Sequence, residues 1–212
     1  MRTVIQIVLS LAIIILGYLV YESIMTPIRF NKEKNTRERA AIARLIDIRE
    51  AQKAFKDVHL RYTSSFDSLI NFVKNDSFLV TKAIGMIPES LIDSTQDIVK
   101  ARAIAMKRGL IKREESKVAV IDSVFGRTFA IDSIRYIPYT QGLSFNMKAD
   151  VYITTSGLNL KVLEVFVMFE DLLKGLEPQL VINYIDEKMK ITRFAGLKFG
   201  SFEEGTLSGN WE

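Results

Sequence analysis

The sequence predicts an α+β protein: an N-terminal transmembrane helix, an amphipathic helix, and an antiparallel β-sheet head with one or two additional helices. Three observations predict it. Thr3 to Tyr21 is nineteen residues without a charge. From Thr36 to about Val58 the chain holds five alanines and neither glycine nor proline, a strongly helical composition. After residue 112 the apolar residues alternate with polar ones, the period of a half-buried strand.

The first element is the span, "TVIQIVLSLAIIILGYLVY". Nineteen residues at 1.5 Å each give about 28 Å, close to a hydrocarbon thickness of about 30 Å. Isoleucine, leucine and valine surround its whole circumference, unlike a core helix with one apolar face. Tyr18 and Tyr21 stand at its end, where interfacial aromatics belong. A cleaved signal peptide has a shorter apolar core and then a small-x-small site, and "YESIMTPIRF" offers none. An uncleaved single-pass helix is therefore expected. Its orientation is contested. Only Arg2 and the terminal amine precede it, whereas Arg29, Lys32, Lys34, Arg37 and Arg39 follow within eighteen residues. The positive-inside rule would keep the following domain in the cytoplasm.

Thr26-Pro27 is expected to interrupt this helix, because proline lacks an N–H and disfavours helical geometry before it. A second helix is expected from Asn35, with Asn35 as N-cap and Glu38 as its capping-box partner. Ala41, Leu45, Ile48, Gln52 and Phe55 recur at spacings of 4, 3, 4 and 3, a single stripe with one polar member. The stripe covers about two heptads, and packing on the helix's own domain is the expectation.

A short helix is expected from Phe66 to about Val73, capped by Ser64 or Ser65, with Asp67 suited to its positive end. "DSFLVTKAIGMIPESL" reads as extended. "STQDIVKARAIAMKRG" reads as a helix capped by Ser94 or Thr95 and stopped at Gly109. "SKVAVIDSVF", "TFAIDSIRYIPY" and "LSFNMKADVYITT" alternate as strands. The tripeptide Ile-Asp-Ser opens at residues 92, 121 and 131. The last two suggest adjacent hairpin strands turning at Gly126 and Arg127. "LKVLEVFVMF" is continuous enough for a central strand. "EDLLKGLEP" reads as a short helix or turn, "QLVINYI" and "MKITRFAGLKFGS" as further strands. Trp211, the only tryptophan, is a candidate to dock the polar tail. The predicted divisions are an anchor and junction at 1–28, a basic amphipathic helix at 29–60, and a head at 61–212, helical to about 111 and β-rich over 112–212.

The chain's 212 residues allow one soluble domain plus an anchor. Its mean hydropathy is positive partly because of the first 21 residues. With no cysteine, disulfides, thiolate nucleophiles, Cys-ligated zinc and iron–sulfur clusters are excluded. The net charge of +4 is unevenly placed. From Arg29 to Arg61 ten basic residues stand against five acidic ones, next to the span, where each well-placed cation gains about 1 kcal/mol from anionic headgroups. Membrane lipid is the expected partner of Arg29, Lys32, Lys34, Arg37 and Arg39. A second cluster, Lys107, Arg108, Lys112 and Arg113, is a candidate patch for an anionic ligand. Nucleic acid is not expected, because no recognition motif accompanies these cations.

Nothing in the residues assembles a catalytic group. His59 is the single histidine and follows a helix end, where a surface or capping role is expected. Glu114-Glu115, Asp186-Glu187 and Glu203-Glu204 are adjacent pairs, and neighbours on a strand point to opposite faces. "GLKFGSFEEG" has glycines outside any phosphate-loop pattern. Neither a metal nor a cofactor is expected, and the expectation is a non-enzymatic protein.

"IREAQKAFKDVHLRYTSSFDSL", Ile48 to Leu69, resembles the end of the long helix in bacterial type IV pilins and pseudopilins. Ala51-Gln52, the aromatic Phe55 and Tyr62 seven positions later stand in that family's pattern, followed by Phe66 and Leu69. The order of parts is similar too: apolar helix, amphipathic helix, loop, antiparallel sheet. The chain has no Gly-aromatic prepilin cleavage site and no glutamate five residues into the apolar segment, so processing and pilus assembly do not carry over. The resemblance implies a bacterial inner-membrane protein, part of a cell-envelope assembly, with its sheet domain in the periplasm and protein partners there. The alternative, from the charge count, is a cytoplasm-facing anchored domain that binds a small or anionic ligand.

Overall fold

In a computed structural model the protein is α+β, with a long apolar N-terminal helix and two small antiparallel sheets. The structure describes residues 1–95, 97–126, 128–153 and 157–212, and of residues 80–83 and 112–115 the backbone alone. Two compact units emerge: residues 1–67 with 132–212, and residues 68–131.

The first unit is organised by α1 (Arg2–His59), a single helix of 58 residues, about 87 Å long. The expected break at Thr26-Pro27 is absent, since Pro27 lies inside the helix. An internal proline deletes one helical hydrogen bond and costs about 3 kcal/mol. Side chains bridge the position: Glu22 Oε1 accepts from Thr26 Oγ1 at 3.2 Å and from Arg29 Nη1 at 3.0 Å. Asn35 and Glu38 form no capping box either. Both are mid-helix, and Glu38 accepts the Tyr184 hydroxyl at 2.6 Å. The helix stops at Leu60, whose φ of 56° is left-handed and whose N–H donates to the Lys56 carbonyl at 2.7 Å.

The expected stripe is the buried face: Ala41, Leu45, Ile48, Gln52 and Phe55 are all buried, as are Ala51 and Ala54. It faces a three-stranded antiparallel sheet of β3 (Asn146–Ile153), β4 (Asn159–Met168) and β5 (Gly196–Phe199), with β4 central as its continuous apolar run implies, and α1 packs on β5. Leu163, Val165 and Val167 point inward at period two, joined by Leu197 and Phe199. Glu164 and Phe166 take the other face, where Lys198 pairs with Glu164 at 3.3 Å and Lys148 lies 5.6 Å over the Phe166 ring. A helix α6 (Phe169–Leu172) follows β4 directly, as "EDLLKGLEP" suggests.

The segment "QLVINYI" is not a strand. It opens α7 (Pro178–Thr192), a 15-residue helix with Pro178 at its start, where proline's fixed φ suits the first turn. Its half-buried residues Leu180, Val181, Tyr184, Ile185 and Lys188 return every three or four positions, the helical period that β-branched composition obscured. "TFAIDSIRYIPY" is likewise not a strand. Ile131–Arg135 forms a 3-10 turn, and Ile131 and Ile134 are both buried at the three-residue repeat of that turn.

The second unit holds β1 (Ser77–Ile84) and β2 (Lys112–Ala119), antiparallel from Ser77 opposite Ala119 to Ile84 opposite Lys112. Between them lie α3 (Glu89–Thr95) and α4 (Ile98–Lys107). Leu91, Ala101, Ala105 and Ile111 form their core, with Ile87, Ile92, Ile104 and Met106 packed against it. The cap of α4 is Asp97, not Ser94 or Thr95: its Oδ1 accepts from Val99 N at 2.8 Å, whereas Ser94 and Thr95 bond back to the Leu91 carbonyl inside α3. The expected hairpin of Ile-Asp-Ser repeats is absent too. Val120–Val124 forms a short helix, α5, and the residues at 131 lie in the 3-10 turn. Arg127, expected at the hairpin turn, lies outside the described residues. The helix expected from Phe66 is α2 (Phe66–Asn75), with Asp67 in its first turn.

Candidate functional site

Two features of the first unit stand out: the exposed apolar end of α1, and a cleft beside Arg37. The apolar end is one candidate membrane span by length and composition, and nothing in the structure covers it. Tyr18 and Tyr21 are exposed at the end of this stretch. Phe30 is the first buried residue of α1.

The five cations after the span divide into two groups. Arg29, Lys32 and Arg39 are exposed, Arg29 paired with Glu22. Lys34 and Arg37 are engaged with the head. Lys34 Nζ lies 4.3 Å over the Tyr184 ring. Arg37 Nη1 donates to the carbonyls of Leu172 at 3.2 Å and Lys174 at 2.9 Å, and its Nε to Glu33 at 3.2 Å. Those carbonyls close α6, so Arg37 serves as its external C-terminal cap. Burial and the Glu38 carboxylate together push the Tyr184 phenol above the ordinary tyrosine range, so it stays a donor to Glu38 and ties α7 to α1.

The cleft beside Arg37 has a volume of about 540 Å³. One wall is the tight loop from Tyr139 to Leu143, the other Asp171 of α6 and the turn after it with Lys174 and Gly175. The loop is a closed β-turn. Tyr136 bridges Ser144, Ile137 N donates to Leu143 O at 2.8 Å, and Thr140 N donates to Ile137 O at 3.4 Å. Pro138 and Tyr139 are its central residues, and Tyr139 has a φ of 62°. This is the type II position that normally takes glycine. Sequence reasoning missed the cleft. Its available signal was "IPYTQG", proline followed by glycine four residues on, hidden by the strand-like tyrosines on either side of Pro138.

A second missed contact holds the tail. Arg49 Nη1 donates to Glu212 Oε1 at 2.6 Å and to the Leu207 carbonyl at 3.2 Å. Asn210 bonds the β5 backbone: Lys198 N donates to its Oδ1 at 3.0 Å, and its Nδ2 donates to Gly196 O at 2.9 Å. Trp211 is half-buried, its ring over Gly209. The hydrogen bond from Arg49 holds the Glu212 carboxyl below the ordinary glutamate range.

Of the second cationic cluster, Lys107 and Arg108 are exposed at the end of α4, while the side chains of Lys112 and Arg113 lie outside the described residues. His59 is exposed at the end of α1, its ring centroid 4.3 Å from that of Phe55. Among the described residues, no three histidine, aspartate or glutamate side chains converge to hold a metal ion. Comparison with protein-family models, curated proteins and solved structures gives no match to this chain.

Proposed function

We propose that this protein is a membrane-anchored, non-enzymatic interaction subunit of a bacterial cell-envelope assembly, with its head on the periplasmic side. The observation that carries the reading is the continuity of α1. One helix supplies both an exposed apolar stretch of spanning length and, without a joint, the buried stripe on which the head's sheet is built. A rigid rod fixed at both ends suits a subunit that holds a head at a set height and angle above a membrane. Arg29 and Lys32 remain exposed on that rod for headgroups, and Arg39 for partner helices.

A reporter fused after residue 212 and active only outside the cytoplasm tests the topology. The same fusion active only inside overturns the periplasmic assignment and favours the alternative, a cytoplasm-facing anchored domain binding a small or anionic ligand with Lys107, Arg108, Lys112 and Arg113. The positive charge following the span is the observation behind that alternative. Crosslinking in native membranes tests the assembly: adducts of defined size are expected, and recovery of free monomer alone overturns it.

A further inference from the structure

We propose that the cleft beside Arg37 binds a sugar bearing a carboxylate. The proposal goes beyond the anchored-subunit reading and stands without it, because every residue lining the cleft belongs to one compact unit.

Tyr139 provides the ring-stacking wall. The residue is 59% exposed, yet its backbone is held by the turn around it. A non-glycine residue at φ 62° is strained. Strain of this kind persists where the surroundings enforce it, and it concentrates at ligand clamps. A rigid, exposed phenol ring is a platform for the C–H face of a pyranose.

The polar groups around it are uncommitted. The Gln141 amide, the Asp171 carboxylate and the Lys174 ammonium have no hydrogen-bond partner among the described residues. Arg37 uses Nη1 and Nε in its bonds and leaves Nη2 free of them. A hydroxyl-rich ring requires donors and acceptors side by side. Asp171 accepts, Gln141 does both, and Lys174 and Arg37 donate. Arg37 is already paired with Glu33, so a carboxylate on the ligand would pair with Lys174, which has no ion pair among the described residues. The volume of about 540 Å³ lies within the range of about 300–1,000 Å³ of small-molecule sites and suits one or two sugar rings. An extended peptide fits less well. The walls are a loop and a helix turn, with no free strand edge for main-chain pairing. On the anchored reading a lipid headgroup is out of reach, since Arg37 lies sixteen residues past Tyr21, about 24 Å of helix.

Saturation-transfer NMR on the full chain in detergent micelles tests the proposal. The probes are D-glucuronate, D-galacturonate and N-acetylmuramate, with methyl β-D-glucoside and inorganic phosphate as controls. At least one acidic sugar is expected to bind in the millimolar range, and methyl glucoside at least tenfold more weakly. Phosphate is expected not to displace the sugar at equal concentration. Tyr139→Gly is expected to weaken binding at least tenfold without lowering the unfolding midpoint, because glycine relaxes the strained turn. Lys174→Ala is expected to weaken it similarly while leaving the fold intact. Three results overturn the proposal: no acidic sugar binding at about 50 mM, displacement by phosphate, or binding that survives Tyr139→Gly in a folded protein. None of these bears on membrane topology or on crosslinked partners.

Discussion

Gln52 carries more of the head's order than its place in an apolar stripe suggests. It is fully buried, and its amide closes both backbone groups of Thr63: Nε2 donates to Thr63 O at 2.7 Å, and Thr63 N donates to Oε1 at 3.2 Å. It thereby fixes the loop that leaves α1. Gln52→Leu adds apolar bulk but strands a donor and an acceptor, so a loss of about 2 kcal/mol in chemical denaturation is expected. Tyr139 is the opposite case, a residue whose removal relieves the fold. Tyr139→Gly is expected to raise stability by about 1 kcal/mol, the left-handed penalty lifted less the added chain entropy of glycine. Glu212 makes the tail sensitive to acid. Its folded-state pKa is lowered by the Arg49 hydrogen bond, so its contribution is present above the ordinary glutamate value of 4.5 and is lost as pH falls through the depressed value. Trp211, next to it, is expected to red-shift its emission in that acid window, and Glu212→Gln to abolish the pH dependence of the shift.

At the scale of elements, α1 and α7 show where local signals mislead. Proline predicts a break, and at Pro27 the helix continues because both flanks are strongly helical and Glu22 bridges Thr26 and Arg29. Pro27→Ala restores one backbone bond, so local opening of α1 around residue 27 is expected to cost about 2 kcal/mol more, read as slower amide exchange there. Unchanged exchange would mean that the side-chain bridge already offsets the missing bond. In α7 the run Leu180 to Ile185 has the composition of a strand. What makes it a helix is a proline start and the docking of Tyr184, which bonds Glu38 and takes Lys34 Nζ 4.3 Å over its ring. Tertiary partners override weak strand propensity there. The stripe of α1 and the central place of β4 were readable, because period and apolar continuity are local consequences of which face is buried.

For the molecule as a whole, the consequence is that span and head share one element. No residue before Phe30 in α1 is buried, so the head's core does not draw on the apolar stretch. Deleting residues 1–28 is expected to leave ellipticity per residue of the head and its unfolding midpoint unchanged, while the protein shifts from the membrane pellet to the supernatant. A head that unfolds on deletion would show that the apolar stretch packs on it.

By itself the sequence determined the class of the protein: an exposed apolar stretch of spanning length, a helix with one buried stripe, and an antiparallel sheet with β4 at its heart. These follow from length and periodicity, which act within a few residues of chain. Only the three-dimensional structure decided that α1 runs through Pro27, that Arg37 and Lys34 turn toward the head, and that Tyr139 and Lys174 face one cleft. The turn of Arg37 and Lys34 depends on partners 100 residues or more away in sequence, as in the bond from Arg37 to Lys174 with its separation of 137 residues. A local pattern cannot encode which distant carbonyl a guanidinium will meet, because that choice is made by packing the sheet against the helix.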